Sequence, residues 1–221
     1  MDVETPAEAL QLIEKIGPAT NFYKVGMELY AAAGMEIVSQ LGSFGKNVFL
    51  DLKLYDIAET VKRATRQICK SGAPTFLTVH GSRVIMQAAV EGRGESKTKL
   101  LGVTVLTSFD QEDMADLGFP MPVSDLVELR VRKAVESGMD GVVCSPLEVA
   151  SVREIAGSKL LIVTPGVRSV AAARGDQKRV ATPSEAIRDG ADYLVIGRQV
   201  TRASNPEAAC REILAEIGAA N

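Results

Sequence analysis

The sequence predicts a (β/α)8 barrel, formed as a single domain by residues 1–221. Three observations favour this fold. Short apolar runs alternate with longer amphipathic segments, several runs are apolar on successive residues, and the ends of the helical segments repeat a glycine-containing pattern. Runs that are apolar on both faces are typical of parallel strands covered by helices. A doubly wound open sheet is the alternative fold for the same alternation.

Seven apolar runs are predicted to be strands. In chain order they are Phe22–Val25, Val48–Leu52, Phe76–His80, Leu101–Leu106, Gly141–Cys144, Leu160–Thr164 and Tyr193–Ile196. A barrel of eight strands needs one more before the first helix, where only Met1-Asp2-Val3 stands. We expect this first strand to be truncated in the sequence, because a barrel open at that point would expose two long parallel edges. An unusual closure of the barrel is the alternative.

The predicted helices carry signals at both ends. Thr5-Pro6-Ala7-Glu8 and Thr182-Pro183-Ser184-Glu185 each combine a capping box with proline at the first helical position. The last helix is predicted to begin near Asn205-Pro206-Glu207. A pattern centred on glycine ends three helical segments: Ser71-Gly72-Ala73, Ser137-Gly138-Met139 and Asp189-Gly190-Ala191. Glycine at that place suits a left-handed helix C-cap.

Composition argues against several classes of function. Of the 221 residues, 46% are hydrophobic and 24% charged, and the net charge of −3 argues against a general nucleic-acid binder. No apolar run approaches the roughly 18 residues that span a bilayer, so no membrane partner is expected. Three scattered cysteines, Cys69, Cys144 and Cys210, indicate reduced thiols in a cytoplasmic protein. The single histidine, His80, leaves no material for a His-rich metal site.

Charged residues at the C-terminal ends of the predicted strands are candidates for chemistry, because barrel active sites lie at that end. The candidates are Lys24 in the first run, Asp51 and Lys53 at the end of the second, and Asp56 in the following loop. Residues i and i+2 of a strand share a face, so Asp51 and Lys53 are expected to point the same way, about 6–7 Å apart along the backbone. Such an array can hold Lys53 protonated. A salt-bridge network that stabilises the barrel rim is an equally open interpretation.

A second group of candidates follows the last two predicted strands. Thr164-Pro165-Gly166-Val167-Arg168 ends one of them, and Ile196-Gly197-Arg198 ends the other. The loops after strands seven and eight of a barrel commonly bind phosphate through backbone N–H groups and a nearby cation. Arg198 could bind a phosphate bidentately, and a solvated surface arginine is the alternative.

Six segments carry these candidates in a fixed order along the chain. They are Tyr23-Lys24-Val25-Gly26, Phe49-Leu50-Asp51-Leu52-Lys53-Leu54-Tyr55-Asp56-Ile57, Val105-Leu106-Thr107-Ser108, Thr164-Pro165-Gly166-Val167-Arg168, Gly175-Asp176-Gln177 and Val195-Ile196-Gly197-Arg198. Together they resemble orotidine 5′-phosphate decarboxylase of the bacterial type, over nearly the whole chain. The Asp-x-Lys-x-x-Asp run alone also occurs in sugar-phosphate lyases of the same superfamily, whereas the complete set is highly specific.

The resemblance implies a barrel that works as a homodimer with active sites at the subunit interface. It implies conversion of orotidine 5′-monophosphate to UMP and CO2 in pyrimidine synthesis, without metal or organic cofactor. By position, Lys53 would protonate C6 of the pyrimidine as CO2 departs. Asp51 would lie near the leaving carboxylate, and Lys24 would complete the charged row.

The resemblance also implies contacts to the rest of the nucleotide. Asp2 would contact a ribose hydroxyl. Asp56, Ile57 and Thr60 would reach into the partner's site and contact the ribose there. Contacts to the base and the phosphate fall on Thr107, Gln177, Gly197 and Arg198, with Arg168 nearby.

Two segments depart from the family pattern. The family usually has Pro-Asn-Thr where this chain has Ala58-Glu59-Thr60. After His80 the family usually has a pair of glycines. This chain has Gly81-Ser82-Arg83-Val84 there, and its segment is one residue shorter than the family's. We therefore expect His80 to be a hydrogen-bonded rim residue without a catalytic role.

Two other functions are compatible with the charged row. One is a metal-dependent sugar-phosphate lyase or decarboxylase of the same superfamily, which would use Mg²⁺ to stabilise an enediolate. Such enzymes are not expected to carry both the Thr164–Arg168 and Gly175–Gln177 segments. The other is a non-catalytic barrel that binds a nucleotide, but binding alone does not require an ammonium group facing the base.

Overall fold

Seven parallel strands form one sheet in which each strand pairs with the next along the chain. The structure is a computed structural model and describes residues 1–169 and 181–219. The strands are β1 (Phe22–Val25), β2 (Asn47–Leu54), β3 (Phe76–His80), β4 (Lys99–Val103), β5 (Gly141–Val143), β6 (Leu161–Pro165) and β7 (Tyr193–Val195). All seven predicted strands are present, with bounds that differ from the predicted ones by at most three residues. 

Helices alternate with the strands and cover the outside of the sheet. They are α1 (Pro6–Ile16), α2 (Met27–Ser43), α3 (Ala58–Ser71), α4 (Arg83–Arg93), α5 (Gln111–Asp116), α6 (Val123–Glu136), α7 (Val149–Ala156), α8 (Pro183–Arg188), α9 (Arg198–Thr201) and α10 (Pro206–Gly218). Their apolar faces pack on the outward residues of the strands and form the main core. The sheet is therefore buried on both faces, as continuous apolar strands require.

The sheet curls until its last strand lies beside its first. The ring of Tyr193 in β7 stands 5.7 Å from that of Phe22 in β1, edge to face. The inward side chains form a second, smaller core made of Phe49, Phe76, Leu101, Val103, Val143 and Val163. A layered apolar interior is the pattern of a closed barrel, so the predicted (β/α)8 fold class is confirmed and the open sheet was the wrong alternative.

Met1–Val3 lies at the seam of this nearly closed barrel. The backbone nitrogen of Met1 donates to the carbonyl oxygen of Lys24 in β1, and the Met1 side chain is buried. These residues form no strand in the structure, so the described part of the chain holds seven strands. The first residues nevertheless run beside β1, where the expected additional strand would pair.

The predicted N-terminal signals act at both helices. At α8 the hydroxyl of Thr182 accepts the N–H of Glu185, and the Glu185 carboxylate accepts the N–H of Thr182, which completes the capping box. At α1 only half of the box forms. Thr5 accepts the N–H of Glu8, while the Glu8 carboxylate accepts the N–H of Glu4 instead.

The predicted left-handed glycines are confirmed at two of three places. Gly138 has φ of +72° and Gly190 has φ of +110°. Gly72 differs, since its φ is −171° and the following Ala73 takes the positive value of +37°. A different constraint acts at Gly72, because a Cβ there would stand 3.0 Å from the Met35 methyl group across the α2–α3 contact.

Candidate active site

Three predicted side chains meet at the C-terminal mouth of the barrel. The Asp51 carboxylate lies between two ammonium groups, with Oδ1 2.8 Å from Lys53 Nζ and Oδ2 3.2 Å from Lys24 Nζ. Asp2 extends the row, with its Oδ1 3.7 Å from Lys24 Nζ. The row therefore alternates in sign from Asp2 through Lys24 and Asp51 to Lys53.

A fifth side chain in this group was not predicted. The hydroxyl of Thr78 in β3 donates to Asp51 Oδ1 and accepts the backbone N–H of Lys53, each at 2.9 Å. Thr78 is completely buried. The sequence carried a signal for it, because Thr78 is two residues beyond the inward-facing Phe76 and so shares its face of the strand. A polar residue at an inward position of a barrel strand is a candidate for the site.

Lys53 does not continue a regular strand. Its φ is +50°, a value that only a few per cent of residues other than glycine adopt. The pairing of β2 with β3 breaks at the same place: Leu50 pairs with Leu77, but Leu54 pairs with Val79. The pairing thus advances by four residues along β2 but by only two along β3. Asp51 and Lys53 do face each other, as predicted, but not through regular strand geometry. A bulge turns the Lys53 backbone, and the two side chains converge until Asp51 Oδ1 and Lys53 Nζ are 2.8 Å apart.

Asp51 is held as a carboxylate despite its burial. Only 12% of its side chain is exposed, and burial alone would raise its pKa. The charges of Lys24 and Lys53, with hydrogen bonds from Lys53 and Thr78, outweigh burial and bring the pKa of Asp51 below its ordinary value. At neutral pH the row therefore carries an ionised aspartate.

The glycine in Tyr23-Lys24-Val25-Gly26 makes room for the charged row. A Cβ on Gly26 would stand 2.7 Å from Asp2 Oδ1 and 3.4 Å from Lys24 Nζ. Because real Cβ contacts are not that short, any side chain at position 26 would displace the Asp2 carboxylate.

Two arginines follow β6 and β7, at the same C-terminal end of the barrel. Arg168 donates from its guanidinium to the Val167 carbonyl oxygen, and Arg198 begins α9 directly after Gly197. Burial and then the charge of Arg198 lower the pKa of Arg168 from its ordinary value. The positive charge of Arg198 thus acts unfavourably on Arg168, and a bound anion would offset that effect.

A hydrogen-bonded link holds the two arginine segments together. Ser169, next to Arg168, donates its N–H to Gln199 Oε1 at 3.3 Å and accepts from Gln199 Nε2 at 2.9 Å. The Ser169 hydroxyl then donates to Glu216 Oε2 at 2.7 Å. Because Gln199 follows Arg198 directly, this link fixes the spacing of Arg168 and Arg198.

Comparison with known proteins identifies the family of this chain. Residues 1–213 match the orotidine 5′-phosphate decarboxylase / HUMPS family. The chain belongs to this family. An orotidine 5′-phosphate decarboxylase of Nitrobacter winogradskyi is 52% identical over 95% of this chain and 87% of its own length. One from Rhodopseudomonas palustris strain BisA53 is 49% identical over 98% of this chain and 92% of its own.

A solved structure of this family has the same fold. The crystal structure of orotidine 5′-phosphate decarboxylase from Lactobacillus acidophilus superimposes with a TM-score of 0.86 at 35% identity. The match covers 98% of this chain and 96% of that one. Because the match covers nearly all of both chains, it includes the strands that carry the charged row and those that precede the two arginines.

The remaining residues expected from the orotidine 5′-phosphate decarboxylase pattern lie outside the charged row. Asp56, Ile57 and Thr60 are exposed, and the Asp56 carboxylate accepts the N–H of Ile57 at 2.7 Å. No ion pair among the described residues joins Asp56 to the row. Thr107 is half-buried in the loop after β4. Gln177 lies outside the described residues.

His80, at the end of β3, differs from its expected state. Its imidazole stacks on the ring of Tyr55, and its buried Nδ1 has no hydrogen-bond partner in the part of the chain that the structure describes. The expectation of a hydrogen-bonded rim histidine was thus wrong for Nδ1. Burial, followed by the charge of Arg130, lowers the pKa of His80 to about 4.

The described residues form neither a metal-ligand group nor a membrane-spanning helix. Within residues 1–169 and 181–219, no three His, Cys, Asp or Glu side chains are grouped as metal ligands. None of the helices described above is both long and apolar enough to cross a membrane.

Proposed function

We propose that this protein decarboxylates orotidine 5′-monophosphate to UMP and CO2 in pyrimidine synthesis, without a metal or organic cofactor. The observation that carries the proposal is the Lys24–Asp51–Lys53 row at the mouth of the barrel, where an ionised aspartate holds the Lys53 ammonium at 2.8 Å. Membership of the family and relatives of about half identity along the chain support the same reaction.

The reaction needs an ammonium group in a fixed position. When the bond from C6 to the carboxylate carbon breaks, CO2 leaves and the electron pair stays on C6 in an orbital that the ring cannot delocalise. Only preorganised charge can stabilise that carbanion. In our proposal the Lys53 ammonium faces C6, stabilises the pair and donates a proton to it, and the neutral amine then regains a proton from water.

Asp51 has two proposed roles at the same place. Its carboxylate orients the Lys53 ammonium through the bond at 2.8 Å. Its negative charge also stands beside the carboxylate that leaves, so the loss of CO2 removes a repulsion between the two carboxylates. Lys24 balances the charge of Asp51 from the opposite oxygen, at 3.2 Å.

The nucleotide would lie across the mouth of the barrel, from the row to the two arginines. We assign the base to Thr107 and a ribose hydroxyl to Asp2. The phosphate is assigned to Arg198, the backbone N–H of Gly197 and Gln177, with Arg168 nearby. Arg168 and Arg198 supply the repelling pair that an anion would relieve. Binding energy from a phosphate remote from C6 can hold the base against Lys53 and so raise the rate of the chemical step.

We further propose that the working form is a homodimer with shared active sites. Asp56, Ile57 and Thr60 are assigned to the ribose in the partner's site. Their exposure supports this, since Ile57 is 72% exposed and the neighbouring Tyr55 is 68% exposed. Large side chains exposed within three residues of each other in the chain are typical of a surface that another protein covers.

Residues 1–221 are proposed to form one domain that works in the cytoplasm. The family match over residues 1–213 supports a single domain. Cys69, Cys144 and Cys210 form no disulfide with one another, which agrees with a reducing compartment.

One assay distinguishes the proposed reaction from its alternatives. The protein is incubated with orotidine 5′-monophosphate in EDTA, and the loss of the orotate absorbance is followed. Turnover in EDTA is the expected result. Turnover only after Mg²⁺ is added would favour a metal-dependent member of the family, and nucleotide binding without turnover would favour a non-catalytic barrel.

A further inference from the structure

Two hydrogen bonds of the Thr78 hydroxyl have fixed directions. The backbone N–H of Lys53 can only donate, so Thr78 Oγ1 accepts from it at 2.9 Å. The single hydroxyl proton is then directed to Asp51 Oδ1, also at 2.9 Å. Lys53 Nζ donates to the same oxygen at 2.8 Å. The three bonds close a ring that begins at the backbone of Lys53 and ends at its ammonium group.

This ring fixes Lys53 at both ends of its side chain. A lysine side chain has four rotatable bonds, and an ammonium group held only by a carboxylate could move with it. Here the carboxylate is itself oriented by Thr78, and Thr78 also holds the backbone from which the side chain starts. The position of Nζ relative to the barrel therefore depends on one hydroxyl group.

The backbone at Lys53 needs such a partner. Its positive φ falls inside the bulge where β2 loses register with β3. An N–H inside a bulge lies outside the regular ladder of hydrogen bonds, and a buried N–H without a partner is costly. Thr78 supplies this acceptor. Its own position is fixed, because it is fully buried and pairs in register with Leu101 of β4.

We propose that Thr78 is a positioning residue for the proton donor. It stabilises the left-handed backbone of Lys53 and aims the Asp51 carboxylate, so that the ammonium group stands ready before substrate binds. The rate effect of this role rests on the proposed decarboxylation. The effect on the Lys53 backbone does not, and it can be measured in the protein without substrate.

Three variants separate positioning from general stability. Thr78→Val keeps the shape and removes both bonds, whereas Thr78→Ser keeps the hydroxyl group. Thr65→Val is the matched control, because Thr65 is also fully buried but its hydroxyl has no hydrogen-bond partner within the described residues. We expect T78V to lower kcat about 100-fold, the loss typical of a misplacement of about 1 Å, with KM changed by less than about threefold. T78S and T65V should stay within about fivefold of the unchanged protein.

The readout that does not depend on activity is hydrogen exchange at the Lys53 amide. In the unchanged protein and in T78S this amide should be protected, and in T78V its exchange should rise at least about tenfold, as expected for a lost partner. A parallel carboxyl titration by NMR should show a higher pKa for Asp51 in T78V, since the hydrogen bond from Thr78 contributes to lowering it.

Two results would overturn the inference. One is unchanged exchange at Lys53 in T78V together with a kcat within about threefold of the original. The other is equal impairment of T78S and T78V, which would assign the effect to packing. If T78V does not fold, Thr78→Ala is measured in its place. Absence of any decarboxylase activity in the unchanged protein would contradict the proposed function alone, and the exchange of Lys53 would still decide the role of Thr78.

Discussion

The ring of Tyr55 stacks on the imidazole of His80, with ring centroids 4.1 Å apart and planes inclined by 29°. Tyr55 directly precedes Asp56, so the stack fixes the start of the exposed β2–α3 loop against the end of β3. Burial and the charge of Arg130 lower the pKa of His80 to about 4, so the ring is neutral at pH 7. A neutral ring can pack beside the Arg130 guanidinium without repulsion.

The low pKa of His80 makes stability depend on pH. The unfolded chain binds a proton at His80 below about pH 6.5, whereas the folded protein does so only below about 4. Stability should therefore be complete above pH 6.5 and fall as the pH drops towards 4. The loss should be about 1–2 kcal/mol, because water screens this half-buried ring. Thermal unfolding between pH 7 and 4 should show it.

His80→Phe is the variant that tests this assignment. Phenylalanine keeps a ring for Tyr55 but cannot bind a proton, so the fall in melting temperature between pH 6.5 and 4 should be smaller. Asp51 affects stability at lower pH than His80 does, because the pKa of Asp51 in the folded protein lies below its ordinary value. Its contribution to stability is lost only as the pH falls below the ordinary pKa and through the folded pKa. Equal slopes for both proteins between pH 6.5 and 4 would assign the acid sensitivity to other groups.

Replacing Lys53 by alanine should abolish decarboxylation. Both the stabilising charge and the proton would be absent, so kcat should fall by about 10⁴-fold or more. Nucleotide binding should persist, since the phosphate contacts are proposed at the other side of the mouth. Lys97→Ala is a suitable control, because Lys97 is an exposed lysine on the α4–β4 connection. A kcat near that of the control would remove Lys53 from its proposed role.

The phosphate assignment predicts effects on KM. Arg198→Ala should raise KM about 10–100-fold with a smaller change in kcat, because a charge-assisted bond to a remote group is lost. Ser169→Ala should raise KM about fivefold, because it loosens the link that sets the spacing of Arg168 and Arg198. Arg211→Ala is the control, since Arg211 pairs with Glu207 on the surface of α10. Changes confined to thermal stability would assign Arg198 and Ser169 to structure.

The shared-site proposal predicts complementation between two inactive proteins. Lys53→Ala and Asp56→Asn each damage every site of a homodimer. A mixed dimer would contain one site with both native residues, so random pairing should restore roughly a quarter of the full activity. The measurement is activity after the two proteins are unfolded and refolded together. No gain over the separate proteins would show that Asp56 does not serve a neighbouring site.

The dimer itself can be tested by a charge at its proposed surface. Ile57→Glu should shift the protein from dimer to monomer in sedimentation velocity and remove most activity, because a carboxylate would be buried without a partner. Phe44→Glu is the matched control: Phe44 is also exposed, by 54%, but lies at the end of α2, away from the mouth of the barrel. An Ile57→Glu protein that sediments like the control would contradict the proposed interface.

Much of the fold was predictable from local pattern. The order and type of the seven strands follow from apolar runs, and the starts of α1 and α8 follow from residues three apart in sequence. The charged residues at the strand ends were predictable for the same reason, because barrel topology brings those ends together whatever the exact register. The sequence alone therefore assigns Asp51, Lys53 and Lys24 to the candidate site.

Tertiary structure decided how these groups are used. The bond from the Lys53 backbone to Thr78 joins residues 25 positions apart, and the stack of Tyr55 on His80 joins the loop after β2 to the end of β3. The hydrophobic periodicity of the local sequence predicts the type of each element and which of its faces is buried. It does not predict the register between strands, and a shift in register changes which side chains meet. The sequence by itself thus determined the barrel and the members of the charged row, whereas the folded sheet determined which hydroxyl group holds Lys53 in position.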